Sequence, residues 1–277
     1  FLGYPVDGPD NNLRPGHREA ANPEHRAEVA HYWGVEQLPA TTGLSAIELF
    51  EQVRSGKIKA LWIACTNPAQ SMPDQTAVRE ALQACPFVVL QEAFRTTETA
   101  AFADLLLPAA SWGEKEGSVT NSERRISHVR RAIAAPGEAR PDWAITVDFA
   151  QRLEKRLRPG QPSLFAFETP AQLFDEYKQL TRGRDLDLSG ISHALIDQLG
   201  PQQWPFPQGA SSGTPRLYLD GIFPTDNGRA RFVAEPYRAA KELRDARYPL
   251  TLNTGRLRDQ WHGMSRTGRV GKLFSHA

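Results

Sequence analysis

Ala60-Leu61-Trp62-Ile63-Ala64, Phe87-Val88-Val89-Leu90 and Leu105-Leu106-Leu107-Pro108 are apolar runs without polar alternation. That is the pattern of strands buried on both faces, as in a parallel sheet. Between the first two, Asp74 stands where it can cap a helix that puts Val78, Leu82 and Cys85 on one face. Between the second and third, Thr97 to Ala103 suits a short helix. Strand, helix, strand, helix, strand predicts an α/β fold, a doubly wound parallel sheet with right-handed crossovers. Upstream, Ala46, Phe50 and Val53 have helical spacing, with Thr42 placed to cap and Gly56 to stop. Downstream, Trp143, Val147, Ala150 and Leu157 mark an amphipathic helix. A further helix has Thr169 as cap, Pro170 in its first turn, and Leu173, Tyr177 and Leu180 inward.

Around this centre the chain divides by composition. Residues 1–40 are polar and rich in Pro, Gly and His, and predict irregular structure with one helix near Glu24 to Trp33. Residues 41–200 form the α/β domain. Residues 201–247 read as linker and hairpin: Pro201 to Pro215 is dense in Pro, Gly, Ser and Gln, and Leu217-Tyr218-Leu219 and Arg231-Phe232-Val233 flank a turn at Asp226-Asn227-Gly228. Residues 248–277 open with Leu250-Thr251-Leu252, a short strand running into Thr254-Gly255-Arg256. They read as the start of a β-rich domain cut off before its core is complete.

With 277 residues, 40% of them hydrophobic, the chain can bury a sizeable core. A net charge of +1 argues against selection for nucleic acid or a membrane surface. No run reaches the roughly 18 apolar residues of a membrane span. The opening Phe1-Leu2-Gly3-Tyr4-Pro5 does not read as a signal peptide. Cys65 and Cys85 are too few for a disulfide scaffold and sit in apolar settings, so both read as small buried hydrophobes, in keeping with a cytoplasmic protein.

Ligands of open parallel sheets sit beyond the carboxyl ends of the strands. The first loop there, Cys65 to Asp74, contains Asn67 and is either a phosphate-facing loop or an ordinary capped turn. Gln91-Glu92 ends the second strand, where a carboxylate can accept from ribose hydroxyls or a guanine edge, or simply be a surface acid. Trp112 to Arg125 holds Lys115, a point charge for a phosphate or purine carbonyl; its alternating charges suit a solvated face, while its two glycines, Asn and Arg pair suit a packed, bonded loop. Near the end, Asn253 to Thr267 combines Gly255, Arg256, Trp261 and His262, a set suited to phosphate or a pterin carbonyl. No Rossmann fingerprint, P-loop, nucleophile elbow or metal-spaced His/Cys cluster is visible, so neither a catalytic residue nor a metal ligand is expected within the chain.

Phe94-Arg95-Thr96-Thr97-Glu98-Thr99-Ala100 with Ala103-Asp104-Leu105-Leu106-Leu107-Pro108, Glu114-Lys115-Glu116-Gly117 with Asn121-Ser122-Glu123-Arg124-Arg125, and Pro136 to Trp143 are ordered motifs. They resemble the molybdopterin oxidoreductase (dimethyl sulfoxide reductase) superfamily, over about 60 to 270. Asn121 to Ser127 and Asn253 to His262 look most like its assimilatory nitrate reductases. The resemblance implies a molybdenum bis(molybdopterin guanine dinucleotide) centre and a [4Fe–4S] cluster, whose cysteine quartet this sequence lacks. It implies that Asn67, Gln91, Glu92, Lys115 and Asp142 contact one guanosine and its phosphates. Thr254, Gly255, Arg256, Trp261 and His262 would face the pterin. Gln91-Glu92 stands where a Ser-Asp or similar pair is common. The implied reaction is reduction of nitrate to nitrite, with electrons from ferredoxin, flavodoxin or an NADH-linked subunit. A formate dehydrogenase of the same family, or a cofactor-free relative such as the large subunit of respiratory complex I, is the alternative.

Overall fold

The computed structural model describes residues 13–14, 16–41, 43–239, 244–253, 255, 257–260, 263–264 and 266–274. The chain forms two compact units, Phe1–Pro215 and Arg216–Ala277.

In the first unit β1 (Leu13–Arg14) pairs antiparallel with β2 (Arg18–Glu19). Helix α1 (Pro23–Trp33) starts where Asn22 accepts from the Glu24 and His25 amides, and ends at left-handed Gly34. Helix α2 (Ala46–Arg54) is capped by a reciprocal Ser45–Glu48 box; Thr42, the expected cap, lies outside the described residues. Then come β3 (Leu61–Ala64), α3 (Pro68–Ser71), α4 (Gln75–Ala84), β4 (Val88–Glu92), a 3₁₀ turn over Glu98–Phe102 and β5 (Leu105–Pro108). Asp74 caps α4, accepting from the Ala77 amide. The strands lie in the order β3-β4-β5, all parallel, with Leu61 opposite Val88 and Val89 opposite Leu105.

The expected parallel α/β architecture therefore holds. Burial differs from strand to strand. All of β4 is buried, β3 alternates buried with half-buried, and β5 leaves Leu105 and Leu106 exposed. Val53, Leu61, Ile63, Val78, Ala81, Leu82, Val88 and Leu90 form the core beneath one face. Leu82 and Leu90 are almost wholly enclosed, and each contributes about 1.5–3 kcal/mol of transfer free energy.

The loop expected from Trp112 to Arg125 is mostly an antiparallel hairpin of β6 (Gly117–Thr120) and β7 (Arg125–Val129). Helices α5 (Asp142–Leu157), α6 (Pro170–Gln179) and α7 (His193–Leu199) follow. Thr169 and Gln172 make the capping box of α6. Leu157, expected inward, is exposed at the end of α5, whose buried side instead carries Ile145 and Val147. The linker reading of Pro201 to Pro215 is also corrected. There β8 (Gln202–Gln203) pairs with β7, and Phe206 is buried among Ile126, Leu188, Ile191 and Ile196. Arg124 secures this segment, its guanidinium donating to the carbonyls of Trp204, Thr214 and Pro215. Composition misled because Pro and Gly mark turns whether or not the turn is packed.

In the second unit a turn forms near Asp226-Asn227-Gly228, with Phe223 N–H donating to the Gly228 carbonyl at 2.9 Å. The expected strands at 217–219, 231–233 and 250–252 do not form; Phe232 and Leu252 are each 94% exposed. The described residues of this unit hold a 3₁₀ turn, Thr267–Arg269, and one short helix, α8 (Gly271–Phe274), and no strand. No helix among the described residues is long and apolar enough to cross a membrane.

Candidate functional site

At the carboxyl end of the sheet, the backbone brings distant side chains together. Beyond β5 the chain passes Ala109, which bridges in parallel to Arg140. Arg140 N–H donates to the Pro108 carbonyl, and Ala110 N–H to the Arg140 carbonyl. This short extension of the sheet delivers Asp142 to the first turn of α5, where the helix dipole favours a carboxylate.

Asp142 is the hub. Its Oδ2 accepts from Lys115 Nζ at 2.5 Å and its Oδ1 from Gln91 Nε2 at 2.8 Å. The Cys65 thiol lies 3.6 Å from Oδ1. Gln91 Oε1 in turn accepts from Trp62 Nε1 at 3.2 Å. Gln91 is 1% exposed, so both ends of its amide need these partners. Lys115 Nζ also lies 5.7 Å from the ring centroid of Trp112, which is exposed.

Burial opposes the Asp142 charge, but hydrogen bonds from Lys115 and Gln91, with the Lys115 charge, outweigh it and hold the carboxyl below its ordinary range. Cys65 shows the opposite effect. Desolvation, reinforced by the Asp142 charge, pushes its thiol up to about 11. The residue is nevertheless exposed, in a left-handed conformation with φ 61°, which corrects its reading as a small buried hydrophobe. Cys85 is buried as expected.

Asn67 and Glu92 lie at the same strand ends but hold the protein itself. Asn67 Oδ1 accepts from Thr99 N–H and from its hydroxyl at 2.7 Å, while Nδ2 donates to Gln70 and, at 2.6 Å, to Glu98. Glu92 Oε1 accepts from the amides of Ala93 and Phe94, closing the turn after β4. Of the expected nucleotide contacts, Gln91, Lys115 and Asp142 thus form one cluster, flanked by loops that Asn67 and Glu92 brace. Trp62 and Cys65 complete the cluster and were missed. Cys65 lies in the first residue after a strand, a position that could have drawn notice, whereas Trp62 reads from sequence only as part of an apolar run. In the second unit Gly255 is exposed. Thr254, Arg256, Trp261 and His262 lie outside the described residues.

The chain belongs to the molybdopterin oxidoreductase family, whose pattern matches residues 10–152. Among curated proteins it is 42% identical over 269 residues to a nitrate reductase of Synechocystis, covering 95% of this chain and 37% of that protein. It is 38% identical over 247 residues to the assimilatory nitrate reductase catalytic subunit of Bacillus subtilis, covering 88% of this chain and 34% of that protein. It is 36% identical over 263 residues to the F420-dependent formate dehydrogenase subunit alpha of Methanocaldococcus jannaschii, covering 95% of this chain and 36% of that one. The chain therefore spans about a third of the length of the curated relatives it matches.

Proposed function

We propose that this chain is part of a molybdenum-dependent nitrate reductase and that it holds one guanosine end of a bis(molybdopterin guanine dinucleotide) cofactor. The observation that carries the reading is the meeting of Gln91, Lys115 and Asp142 at the carboxyl end of a parallel sheet. This donor set fits the group. A carboxylate accepts from a guanine ring N–H and amino group and an ammonium donates to its carbonyl, while the buried Gln91 amide holds the Asp142 carboxylate in place. A Lys–Asp pair beside an exposed Trp can exchange its internal partners for such a ligand, and Asn67 and Glu92, at the same strand ends, would line the same guanosine and its phosphates. Thr254, Gly255, Arg256, Trp261 and His262 complete the proposal as the set that meets the pterin.

The bound group would supply the two-electron chemistry that takes nitrate to nitrite. The chain's own residues bind and orient, and none is assigned a catalytic or metal-ligating part in that reaction. The reading carries a [4Fe–4S] cluster in the parent enzyme and a ferredoxin, flavodoxin or NADH-linked subunit as its electron donor. Cytoplasmic nitrate assimilation is the setting the reading implies, and the isolated chain would be inactive. Formate is the second substrate to weigh, favoured by the similarity to the formate dehydrogenase subunit. A cofactor-free relative of the complex I type is disfavoured by a charged cluster suited to a nucleotide.

The test uses the full-length parent. Wild type, Lys115→Ala and Asp142→Asn are assayed for molybdenum and for guanine nucleotide released by acid. Both variants should lose most of each, and the wild type should reduce nitrate in preference to oxidising formate. Wild-type guanine content in both variants would overturn the site. Preferential formate oxidation would overturn the substrate and leave the site standing.

A further inference from the structure

Glu116, the residue after Lys115, and the β6-β7 hairpin that follows it meet α7 through a compact polar group. His128 points one ring nitrogen at each of two carboxylates: Nδ1 is 2.8 Å from Asp197 Oδ1, and Nε2 is 3.1 Å from Glu116 Oε1. His193, the first residue of α7, stacks on His128 with ring centroids 4.0 Å apart. Its Nε2 is 2.8 Å from Ser118 Oγ, and its other face lies against Phe174. Ligand atoms of Glu116, His128 and His193 all lie within 4.8 Å of one another. The His128 side chain is 8% exposed, and Glu116 is open to solvent.

We propose that Glu116, His128 and His193 form a binding site for a divalent zinc-class cation, with Asp197 orienting His128 from behind. Two imidazoles and one carboxylate are an ordinary protein ligand set for such ions, leaving a position for water. Zinc bonds to nitrogen and oxygen are about 2.0–2.2 Å, so two ligands on one tetrahedral ion stand about 3.3 Å apart. Glu116 Oε1 and His128 Nε2 are already close to that separation. Metal-bound histidines almost always give their second N–H to a carboxylate or carbonyl, which fixes ring and tautomer. Asp197 supplies that carboxylate here, and Arg130 pairs with the same Asp197 oxygen.

His193 is the ligand that must move. Parallel stacked rings cannot both aim in-plane lone pairs at one ion, so binding turns His193 out of the stack and away from Ser118. Without metal the group is a set of hydrogen bonds joining β7 to α7, and the site is the further use those side chains permit. The sequence hides it because the three ligands are spread from residue 116 to residue 193 in no metal-binding spacing.

The experiment uses the 277-residue chain, stripped with chelator and titrated with Zn²⁺ by calorimetry, with Co²⁺ as an absorption probe. The expected result is one equivalent bound, a raised Tm, and visible Co²⁺ bands of tetrahedral intensity. Glu116→Gln, His128→Gln and His193→Gln should each weaken binding at least tenfold, and Asp197→Asn about tenfold. Glu116 is exposed, so its variant separates lost binding from lost folding, which circular dichroism checks for the others. Absence of one-equivalent binding would overturn the proposal, as would wild-type affinity in Glu116→Gln and His193→Gln.

Discussion

Leu105-Leu106-Leu107 and Leu250-Thr251-Leu252 are short leucine-rich runs that both read as strands, and only the first is one. The first lies beside β4, which offers a parallel ladder along Val89-Leu90-Gln91-Glu92. The second has no partner strand among the described residues of its unit, and Leu250 and Leu252 are 86% and 94% exposed. Apolar character alone does not make a strand. A strand needs partners for its backbone groups and a surface to cover, or the entropy of ordering it is not offset. The same contrast holds for Leu217-Tyr218-Leu219 and Arg231-Phe232-Val233, whose turn forms while their ladder does not. Among the described residues, the buried apolar clusters all lie in the first unit and the second holds no buried apolar side chain.

The sharpest way to break this contrast is truncation on each side of it. Leu90→Ala in β4 should cost about 2–5 kcal/mol, because Leu90 is fully buried and a cavity remains. Leu252→Ala should stay within about 0.5 kcal/mol. Urea unfolding followed by tryptophan fluorescence measures both. A loss above 1 kcal/mol for Leu252→Ala would mean that the second unit has a core of its own.

A smaller effect is expected at the polar hub of the first unit. Asp142→Asn removes the acceptor charge for Lys115 and should cost on the order of 1–3 kcal/mol at neutral pH. Its pH dependence has a definite sign. The folded carboxyl is held below its ordinary value of 3.8, so its contribution is present above that value and lost as pH falls through the lower folded one. The stability gap between wild type and Asp142→Asn should therefore be constant near neutrality and close below about pH 4. A gap that stays constant to pH 2 would show that the carboxylate contributes no charge-dependent stability.

The smallest effect is chemical. With its thiol pushed up to about 11, Cys65 should be alkylated slowly at pH 8 despite its exposure. Asp142→Asn removes an opposing charge while leaving Lys115 in place, so the thiol should ionise more readily and react several-fold faster. Peptide mass spectrometry distinguishes Cys65 from buried Cys85. Equal rates in wild type and variant would show that the Asp142 charge does not govern the thiol.

Much of the sheet was legible because its signals are local. Asp74 and Thr169 cap the helices they were expected to cap, and the apolar runs fall on β3, β4 and β5. The hairpin of β6 and β7 was less legible. Its residues mix charge and polarity, and Ile126 is buried by Phe206, which lies eighty positions away. Lys115 stands out by its charge and Asp142 only through the family resemblance, and nothing local says that an ammonium and a carboxylate twenty-seven positions apart share a bond. Cys65 was misread because a small apolar neighbourhood in sequence says little about which way a left-handed residue turns its thiol.

By itself, then, the sequence determined the α/β class, the strand and helix positions of the sheet and the family, since periodicity, caps and ordered motifs are carried by neighbouring residues. The tertiary structure alone decided which side chains meet. It joined Trp62, Gln91, Asp142, Lys115 and Cys65 at one sheet end, set Glu116, His128 and His193 together beside α7, packed Phe206 into a core, and left the Leu250 run exposed. Contacts between remote residues depend on where the whole chain turns, and each buried polar group takes the partner the finished fold puts within reach.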